Sequence, residues 1–409
     1  MRVCVISQYF PPDVGGASTR ADNIVKTLVS LGHETTVITG FPHYPQGLVP
    51  QEYRGHFITI ESTNRARVVR VWMPPIPHEG TTKRLLMYMI FAFSAMMAWP
   101  YFLRTKVTWA VSPNYLSMIP ATACKMVSGT RVIHDVVDIW PEALVATGYS
   151  FSRLILMFAG IVSRVTYAIS DTIVTISESM AEDLRKTVSA KTPVTIVENC
   201  VGEQFFAIAP PQANLPLHMM YLGTLGPSND FTTLLESAVK LRNQDIAEFT
   251  IAGSGDRSRA IAETIQNQKV TNVTFRGQAV PHEEVPRWLE TADVLLLPLR
   301  AGLGNTSLPS KLGEYLAAAR PIICTADGNL ADMIRDNRIA LLVSPGDVIG
   351  FTGAIMQLSQ DKGLYQQLSA RGRQYAHDHM SYESFYRKIN DTIGAVGVTF
   401  DRRNSGGLN

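Results

Sequence analysis

Cysteine is scarce in this chain of 409 residues: there are four, Cys4, Cys124, Cys200 and Cys324, and no two stand at a short paired spacing. That argues against a disulfide framework or a zinc site and fits a reducing compartment. An excess of one charge is also lacking, since 37 Lys and Arg balance 35 Asp and Glu, and no long basic block stands out. Nucleic acid is therefore not an expected partner. The opening MRVCVISQYF has no extended apolar region ending in a small-residue cleavage site, so it reads as a first strand and not as a secretory leader. No GxGxxG follows that strand, which withholds the dehydrogenase fingerprint. No Asp-x-Asp triplet stands beside a plausible nucleotide loop, so no metal is expected.

What is present is alternation. Apolar residues make up 46% of the chain, an ordinary globular value. A single core stops growing near roughly 250–300 residues, so two domains are expected. Short β-branched runs at Arg2–Phe10, Glu34–Thr39, Arg67–Met73, Trp109–Pro113, Thr130–Val136 and Thr172–Ser177 are separated by helical patterns. The first helix runs from about Ala17 to Leu31 and is closed by Gly32. The pattern lapses at Gly202–Pro216, which reads as a linker. It restarts at Met219–Gly223 and continues through Phe249–Gly253, Asn272–Arg276, Val294–Pro298, Pro321–Cys324 and Ala340–Val343. This predicts an α/β protein of two doubly wound, Rossmann-like domains, 1–203 and 217–380, facing a central cleft. A closing helix, 381–398, is expected to pack back on the first domain.

Leu85–Leu103 is 19 residues without a charge, flanked by Lys83, Arg84, Arg104 and Lys106. Its length would permit a membrane span. A single span, however, would put strands that must share one sheet on opposite sides of the bilayer. Two readings are left: a helix lying in the membrane interface, or a helix buried in the core. The basic flanks, Trp99 and Tyr101 favour the first. Phe151–Ile169, aliphatic with Arg153 and Arg164, is placed to lie beside it.

Candidate site residues gather at strand ends. Gly15 and Gly16 let a turn approach a ligand ahead of a helix N-terminus; the plainer reading is a simple strand–helix turn. His134, Asp135 and Asp138 stand near the end of one strand, where a histidine beside carboxylates suits sugar hydroxyls or a proton. The plainer reading is a structural histidine with Asp138 capping the next helix. Gly302–Pro321 (GLGNTSLPSKLGEYLAAARP) gives a flexible loop, Asn305-Thr306-Ser307-Leu308, and then a helix from about Ser307–Lys311. Its N–H groups, Ser310 and Lys311 suit a diphosphate, and Glu314 suits a ribose diol. An acid favoured by the helix dipole is the alternative. Gly223 and Thr224, and Gly253 and Gly255, follow strands and are placed to line a nucleotide, the plainer reading being simple turns; Arg276 and Arg300 also follow strands and are placed to supply positive charge.

In this order the motifs resemble the large retaining, GT-B glycosyltransferases of the family 4 type. The resemblance runs from about Met1 to Val396. SQYFPPDVGGASTR is similar to the start of that family's acceptor domain. FPHYPQG, VVDIWPEAL and LPSKLGEYLAAARP are similar to the branch that builds bacterial surface polysaccharides on lipid carriers. The resemblance implies that Gly16 approaches the donor diphosphate and that His134 contacts the donor sugar. It places Ser310 and Lys311 at the phosphates and Glu314 on the ribose, as the second acid of an E-x7-E motif. Thr306 stands at the first acid's position, and Thr224 and Asn229 stand where many relatives carry Arg and Lys. Diphosphate charge then falls to Lys311, another arginine or backbone dipoles.

The activity implied is transfer of a hexosyl or N-acetylhexosaminyl group from a nucleotide sugar, with UDP the expected nucleotide, without a cofactor. The catalytic group set is His134, Asp138 and Glu314. The leaving phosphate is the commonly proposed base, and His134 positions the sugar. The expected acceptor is a polyprenyl-diphosphate-linked saccharide at the cytoplasmic face of a bacterial membrane, reached through residues 85–103. A nucleotide-sugar epimerase of the same fold and an inactive sugar-binding subunit are the rival classes.

Overall fold

The computed structural model describes residues 1–44, 47–63, 65–76, 81–142, 152–212, 214–304 and 308–405. Eight strands share one sheet and six share another. The first sheet has β1 (Arg2–Ile6), β2 (Glu34–Gly40), β3 (Ile58–Thr63), β4 (Ala66–Val71), β5 (Val107–Val111), β6 (Arg131–Val136), β7 (Thr172–Thr175) and β8 (Val194–Ile196). The second has β9 (Leu217–Leu222), β10 (Ala247–Ala252), β11 (Val273–Arg276), β12 (Val294–Pro298), β13 (Ile322–Thr325) and β14 (Leu341–Val343). The chain divides into two compact units: Met1–Leu144, Tyr149–Asn199 and Phe385–Asn409 form one, and Cys200–Ser384 falls in the other.

Unit one orders its strands β3-β4-β2-β1-β5-β6-β7-β8. All pairs are parallel except β3 with β4, an antiparallel hairpin that the sequence reading did not anticipate. β3 is an edge strand whose exposed residues alternate with half-buried ones, so its apolar signal is diluted. β1 is also shorter than expected, ending at Ile6 and leaving Ser7–Phe10 as loop. Helix α1 (Gly16–Ser30) follows β1. It ends as its composition demands: Gly32 takes φ 80°, its N–H bonds to Val29 O, and the His33 N–H bonds to Leu28 O.

Helices α2 (Thr81–Met96), α3 (Met118–Ser128), α4 (Arg153–Ile169) and α5 (Glu178–Thr187) carry the chain from β4 to β5, β6, β7 and β8 in turn. Each step moves the same way across the sheet, so right-handed crossovers put these four helices on one face. α1 makes the opposite step and covers the other face. The run 85–103 is not one helix. α2 stops at Met96, and Trp99–Phe102 forms a 3-10 turn with Pro100 in it. Met87, Tyr88, Phe91 and Ala95 are buried in the core of unit one, whereas Leu86, Met89 and Phe93 are exposed. Among the described residues, no helix is long and apolar enough to cross a membrane.

Unit two orders its strands β11-β10-β9-β12-β13-β14, all parallel. Its helices of eight or more residues are α6 (Phe231–Leu241), α7 (Ser258–Asn267), α8 (Ser310–Ala317), α9 (Gly328–Asn337), α10 (Val348–Gln360) and α11 (Lys362–Met380), and Glu203–Phe206 and Val285–Thr291 form shorter ones. The final helix is α12 (Tyr382–Ser405), whose Phe385, Ile389 and Ile393 are buried. In unit one, Lys388 on α12 pairs with Glu198.

One buried ion pair organises unit one. Arg20 on α1 donates Nε and Nη2 to the two carboxylate oxygens of Asp135 on β6, each at 2.8 Å. Nη2 also reaches Val197 O and Nη1 reaches Asn199 Oδ1, both at 3.0 Å. Trp109 on β5 donates Nε1 to the same carboxylate at 3.2 Å. The side chains of the pair are 2% and 0% exposed. Asp135 is thus committed to the fold and is withdrawn as a chemical candidate. Removing one partner of such a pair leaves a buried charge uncompensated. Asp135→Ala should lower unfolding free energy by about 3–5 kcal/mol in urea denaturation. Arg20→Met with Asp135→Leu should recover a large part of that loss.

Candidate active site

The second sheet presents the carboxyl ends of β9, β10 and β11 beside the N-terminus of α8. β9 runs out at Leu222, two residues past the point, Met220 opposite Leu295, where its pairing with β12 ends. The Leu222 N–H and C=O are met instead by one side chain, because the buried Tyr315 hydroxyl accepts from the N–H at 3.0 Å and donates to the carbonyl at 3.1 Å. Tyr315 sits on α8, so the helix is fastened to the strand end. α8 is held from behind by α11, where Arg373 Nε donates to Ala317 O at 3.0 Å.

Gly223 follows with φ 135°. A Cβ at this position would run into Cε and Nζ of Lys311, and one at Gly253 would run into the Gly223 carbonyl oxygen. The glycines are therefore required by two close approaches, of a lysine stem and of backbone on backbone. Lys311 is the second residue of α8. Its Nζ donates to Tyr221 Oη at 2.8 Å and lies 4.5 Å from the centre of that ring. Tyr221 Oη in turn donates to Thr224 O at 2.6 Å.

Burial brings the Lys311 ammonium down to about 8, with the charge of Glu314 opposing the shift. Burial likewise lifts the Glu314 carboxyl to about 7, with the charge of Lys311 opposing. Three residues apart on one helix, the two share a face. They line a cavity of about 230 Å³ together with Gly223, Thr224, Ser254, Val280 and Tyr315. The N-terminus of α8 has no side-chain cap, since Pro309 precedes it. Its first N–H groups and a lysine thus stand beside a small cavity, an arrangement suited to a phosphate-bearing ligand. Two larger hollows of unit two, about 590 and 890 Å³, lie along α6–α7 and around α9. The smaller cavity is the better candidate because strand ends, a free helix terminus and a perturbed acid–base pair meet there.

In unit one, the residues near the carboxyl ends of the strands are aromatic and titratable. Asp13, 6% exposed, accepts from the backbone N–H groups of His43 and Tyr44, each at 2.8 Å on Oδ1. The loop after β1 is thereby tied to the loop after β2. Burial lifts the Asp13 carboxyl to about 6 and lowers the His43 imidazole to about 4. Tyr88 of α2 stacks on Trp140 at 6.1 Å, and Trp140 stacks on Tyr115 at 4.7 Å. Asp138 is partly buried just past β6. Burial lifts its carboxyl to about 6, against the charge of Arg84.

Two family models match the chain: the glycosyl transferase 4-like domain over residues 15–200, and the glycosyl transferases group 1 model over residues 216–361. The chain belongs to the family 4 type of glycosyltransferases. A protein of Escherichia coli (strain K12) named as a colanic acid biosynthesis glycosyl transferase, WcaI, is 24% identical over 96% of this chain and 100% of its own length. The amylovoran biosynthesis glycosyltransferase AmsK of Erwinia amylovora is 23% identical over 44% of each chain. Among solved structures, sucrose-phosphate synthase from Thermosynechococcus elongatus has a TM-score of 0.73 at 16% identity, covering 98% of this chain and 100% of its own. Anabaena Alr3699/HepE, solved in complex with UDP, has a TM-score of 0.67 at 11% identity, covering 97% and 100%. These likenesses show the GT-B fold, two Rossmann-like domains in one chain.

Within this glycosyltransferase the anticipated residues are distributed unevenly. Gly223, Thr224, Lys311 and Glu314 line the cavity of unit two, and Gly253 packs directly behind it. Gly255 is in the same loop at φ 154°. Ser310 is exposed as the first residue of α8, and Leu308 packs partly buried on the core of unit two. Arg276 does not line the cavity; its guanidinium lies over the Trp288 ring, 5.0 Å from the centre. Arg300 turns back to Pro227 O at 3.3 Å. Asn229 donates to Thr224 O at 3.2 Å and so braces the loop. Asn305, Thr306 and Ser307 lie outside the described residues. In unit one, Gly15 precedes α1 at φ 151° with the Tyr44 ring 3.2 Å from where its Cβ would be, whereas Gly16 faces open space.

His134 is placed differently from the expectation of a sugar contact at a strand end. It lies inside β6 and is 0% exposed, edge-on to Tyr115 at 5.2 Å and 5.9 Å from Tyr167. Neither ring nitrogen has a hydrogen-bond partner among the described residues. Burial drives its imidazole down to about 3, so it is neutral in the folded protein. Asp13, His43 and Tyr88 were not singled out, and Arg84 entered only as a basic flank of the run 85–103. The FPHY and PPD segments were visible in the sequence, but the bond between them spans some thirty positions.

Two measurements check this geometry. Gly223→Ala should displace Lys311 from Tyr221 and cost about 1–3 kcal/mol of stability by thermal denaturation, whereas Gly16→Ala, in open space, should cost less. For His134, the unfolded chain takes up a proton as pH falls below the ordinary value of 6.5, while the folded chain does not until about 3. Its contribution to stability should therefore be lost as pH falls, by about 1.4 kcal/mol per pH unit within that window. The difference in urea unfolding free energy between wild type and His134→Phe, followed against pH, reads this out.

Proposed function

We propose that this enzyme transfers a hexosyl or N-acetylhexosaminyl group from a nucleoside-diphosphate sugar, with UDP as the carrier, to a polyprenyl-diphosphate-linked saccharide with retention. The setting is assembly of a bacterial surface polysaccharide at the cytoplasmic face of the membrane. The observation that carries the reading is the Lys311–Glu314 pair at the uncapped start of α8. A half-desolvated lysine beside free helix N–H groups is incomplete without an anion, and a diphosphate supplies one. Glu314, one turn in, is placed to accept the hydroxyls of a ribose.

Catalysis then consists mainly of holding the leaving diphosphate as its charge develops. Lys311, the α8 N-terminus and the backbone after Gly223 perform that task. The acceptor hydroxyl gives its proton to the leaving phosphate in this scheme, so no side chain is needed as base. Asp138, at about 6, is a candidate to orient that hydroxyl. His134 enters the scheme as a neutral ring buried in unit one and not as a direct proton carrier. The names of the relatives, colanic acid and amylovoran biosynthesis, support the polysaccharide setting. The apolar run 85–103, which exposes Leu86, Met89, Phe93, Met97, Trp99 and Leu103, supports a membrane contact and hence a lipid-linked acceptor.

A panel of nucleotide sugars should contain one that raises the melting temperature, since a ligand that binds only the folded state stabilises it by about 2.7 kcal/mol at a hundredfold excess over Kd. Lys311→Met should remove the stabilisation by the matching nucleoside diphosphate. Its affinity in the wild type should weaken as pH rises through about 8, where the free lysine loses its proton. Glu314→Ala should abolish nucleoside-diphosphate release in the presence of a lipid-linked saccharide. If no nucleotide sugar stabilises the protein, or if Lys311→Met binds as well as wild type, the reading fails.

A further inference from the structure

We infer that α2, α3 and α4 together form one docking face for an anionic lipid bilayer, with α4 as essential to it as the run 85–103. The inference rests on the membrane contact proposed above and extends it to helices far from that run in sequence. α2 exposes Leu86, Met89 and Phe93, spaced three and four residues apart on the side opposite its core residues, and Met97 just past its end continues the spacing. α4 repeats the device with Leu154, Phe158, Ile161 and Val165, of which Leu154 is 72% and Phe158 60% exposed. On α3, Met126 is 83% exposed and Val127 stands beside it. Right-handed crossovers put all three helices on the same face of the sheet. They are also coupled through the core: Tyr88 of α2 and Tyr115 ahead of α3 both stack on Trp140, and Tyr115 bonds to Tyr167 of α4 at 3.0 Å.

Charge identifies the occupant. None of the three helices contains an Asp or a Glu. Lys83, Arg84, Arg104, Arg153 and Arg164 are exposed at or beside them. Long basic side chains on an apolar surface suit headgroup phosphates above acyl chains. Trp99, exposed at the end of the run, suits the same boundary. The face ends at α5, which belongs to the same layer but exposes Glu182, Arg185 and Lys186. A second copy is a poorer occupant, because an isologous contact would set helices whose only charges are basic against themselves. Nor does the face imply spanning: α2 has 16 residues, about 24 Å, with one side committed to the core.

The test is flotation of the full-length protein with phosphatidylglycerol-containing vesicles and with phosphatidylcholine vesicles, without nucleotide sugar. Binding is expected to the first, to be weak to the second, and to fall with added salt. Phe93→Asp on α2 and Phe158→Asp on α4 should each lower the bound fraction by roughly tenfold or more, whereas Arg185→Ser on α5 should not. Melting temperature checks that each variant folds. Should Phe158→Asp fail that check, Arg153→Ser with Arg164→Ser reads the same face through charge. Loss with the α2 variant but normal binding with the α4 variants would confine docking to the run and overturn the three-helix face. Wild type that binds neither vesicle, or that sedimentation velocity shows as a dimer dissociated by Phe158→Asp, would overturn it too. Each of these outcomes leaves the nucleotide-sugar measurements, and the reading they test, standing separately.

Discussion

The chemistry of unit two depends on one constraint, a lysine stem laid across a residue that has no side chain. Lys311 passes over Gly223 to reach Tyr221, and that route exists only because position 223 offers no Cβ. The same crowding fixes Gly253, whose missing Cβ leaves room for the Gly223 carbonyl. Tyr315 then ties the strand end to the helix that carries the lysine. Small residues, two tyrosines and one cation are thus a single mechanical unit. The result is a cation with one of its three donors satisfied by Tyr221, next to an acid that burial also disfavours as an ion. Each group holds the other near its charged form, and a bound diphosphate would take over that task for the lysine.

Unit one meets the opposite requirement. Its buried ion pair is saturated: Arg20 spends its donors on Asp135, Val197 and Asn199, and Asp135 also accepts from Trp109. Nothing is left over for a ligand. The pair locks α1 against β6 and the segment after β8, and so fixes the loops that leave β1 and β6. Asp13 does the same for the loops after β1 and β2, with its carboxylate on two backbone N–H groups. The reactive character of this edge then falls to groups lifted by burial, Asp13 and Asp138, and not to the histidine between β6's other side chains.

The difference between what was legible and what was not follows from range. Strands of Val, Ile and Leu bounded by Gly and Pro declare themselves locally, which is why nearly every central strand was visible. β3 and β8 are edge strands whose residues are exposed or half-buried, so neither carries the fully buried apolar run that marks the central strands. Gly223, Lys311 and Glu314 were legible because a glycine after a strand and an i, i+3 charged pair at a helix start are local patterns. His134 misled because a central parallel strand is buried on both faces, so every residue of β6 is inside whichever way it points. Asp135 misled for a different reason: its partner, Arg20, is 115 positions away. Sequence spacing reports chemistry at the ends of elements far better than inside them.

The distribution of exposed apolar side chains carries the last step. A helix apolar all round needs apolar surroundings all round. α2 has them on one side only, and α4 is in the same position. In unit two, by contrast, the large apolar side chains exposed among the described residues are few: Leu215, Ile349, Met356 and Tyr382. Both units are doubly wound sheets of the same kind, so the fold itself does not demand an apolar exterior. The difference must serve something outside the core that touches unit one and not unit two. A lipid surface satisfies the apolar stripes and the basic side chains beside them together. An acceptor held on such a surface would meet the aromatic and carboxylate groups near α2 first, since Tyr88 of that helix already stacks on Trp140, two residues from Asp138. Docking face and acceptor site would then be two sides of one helix.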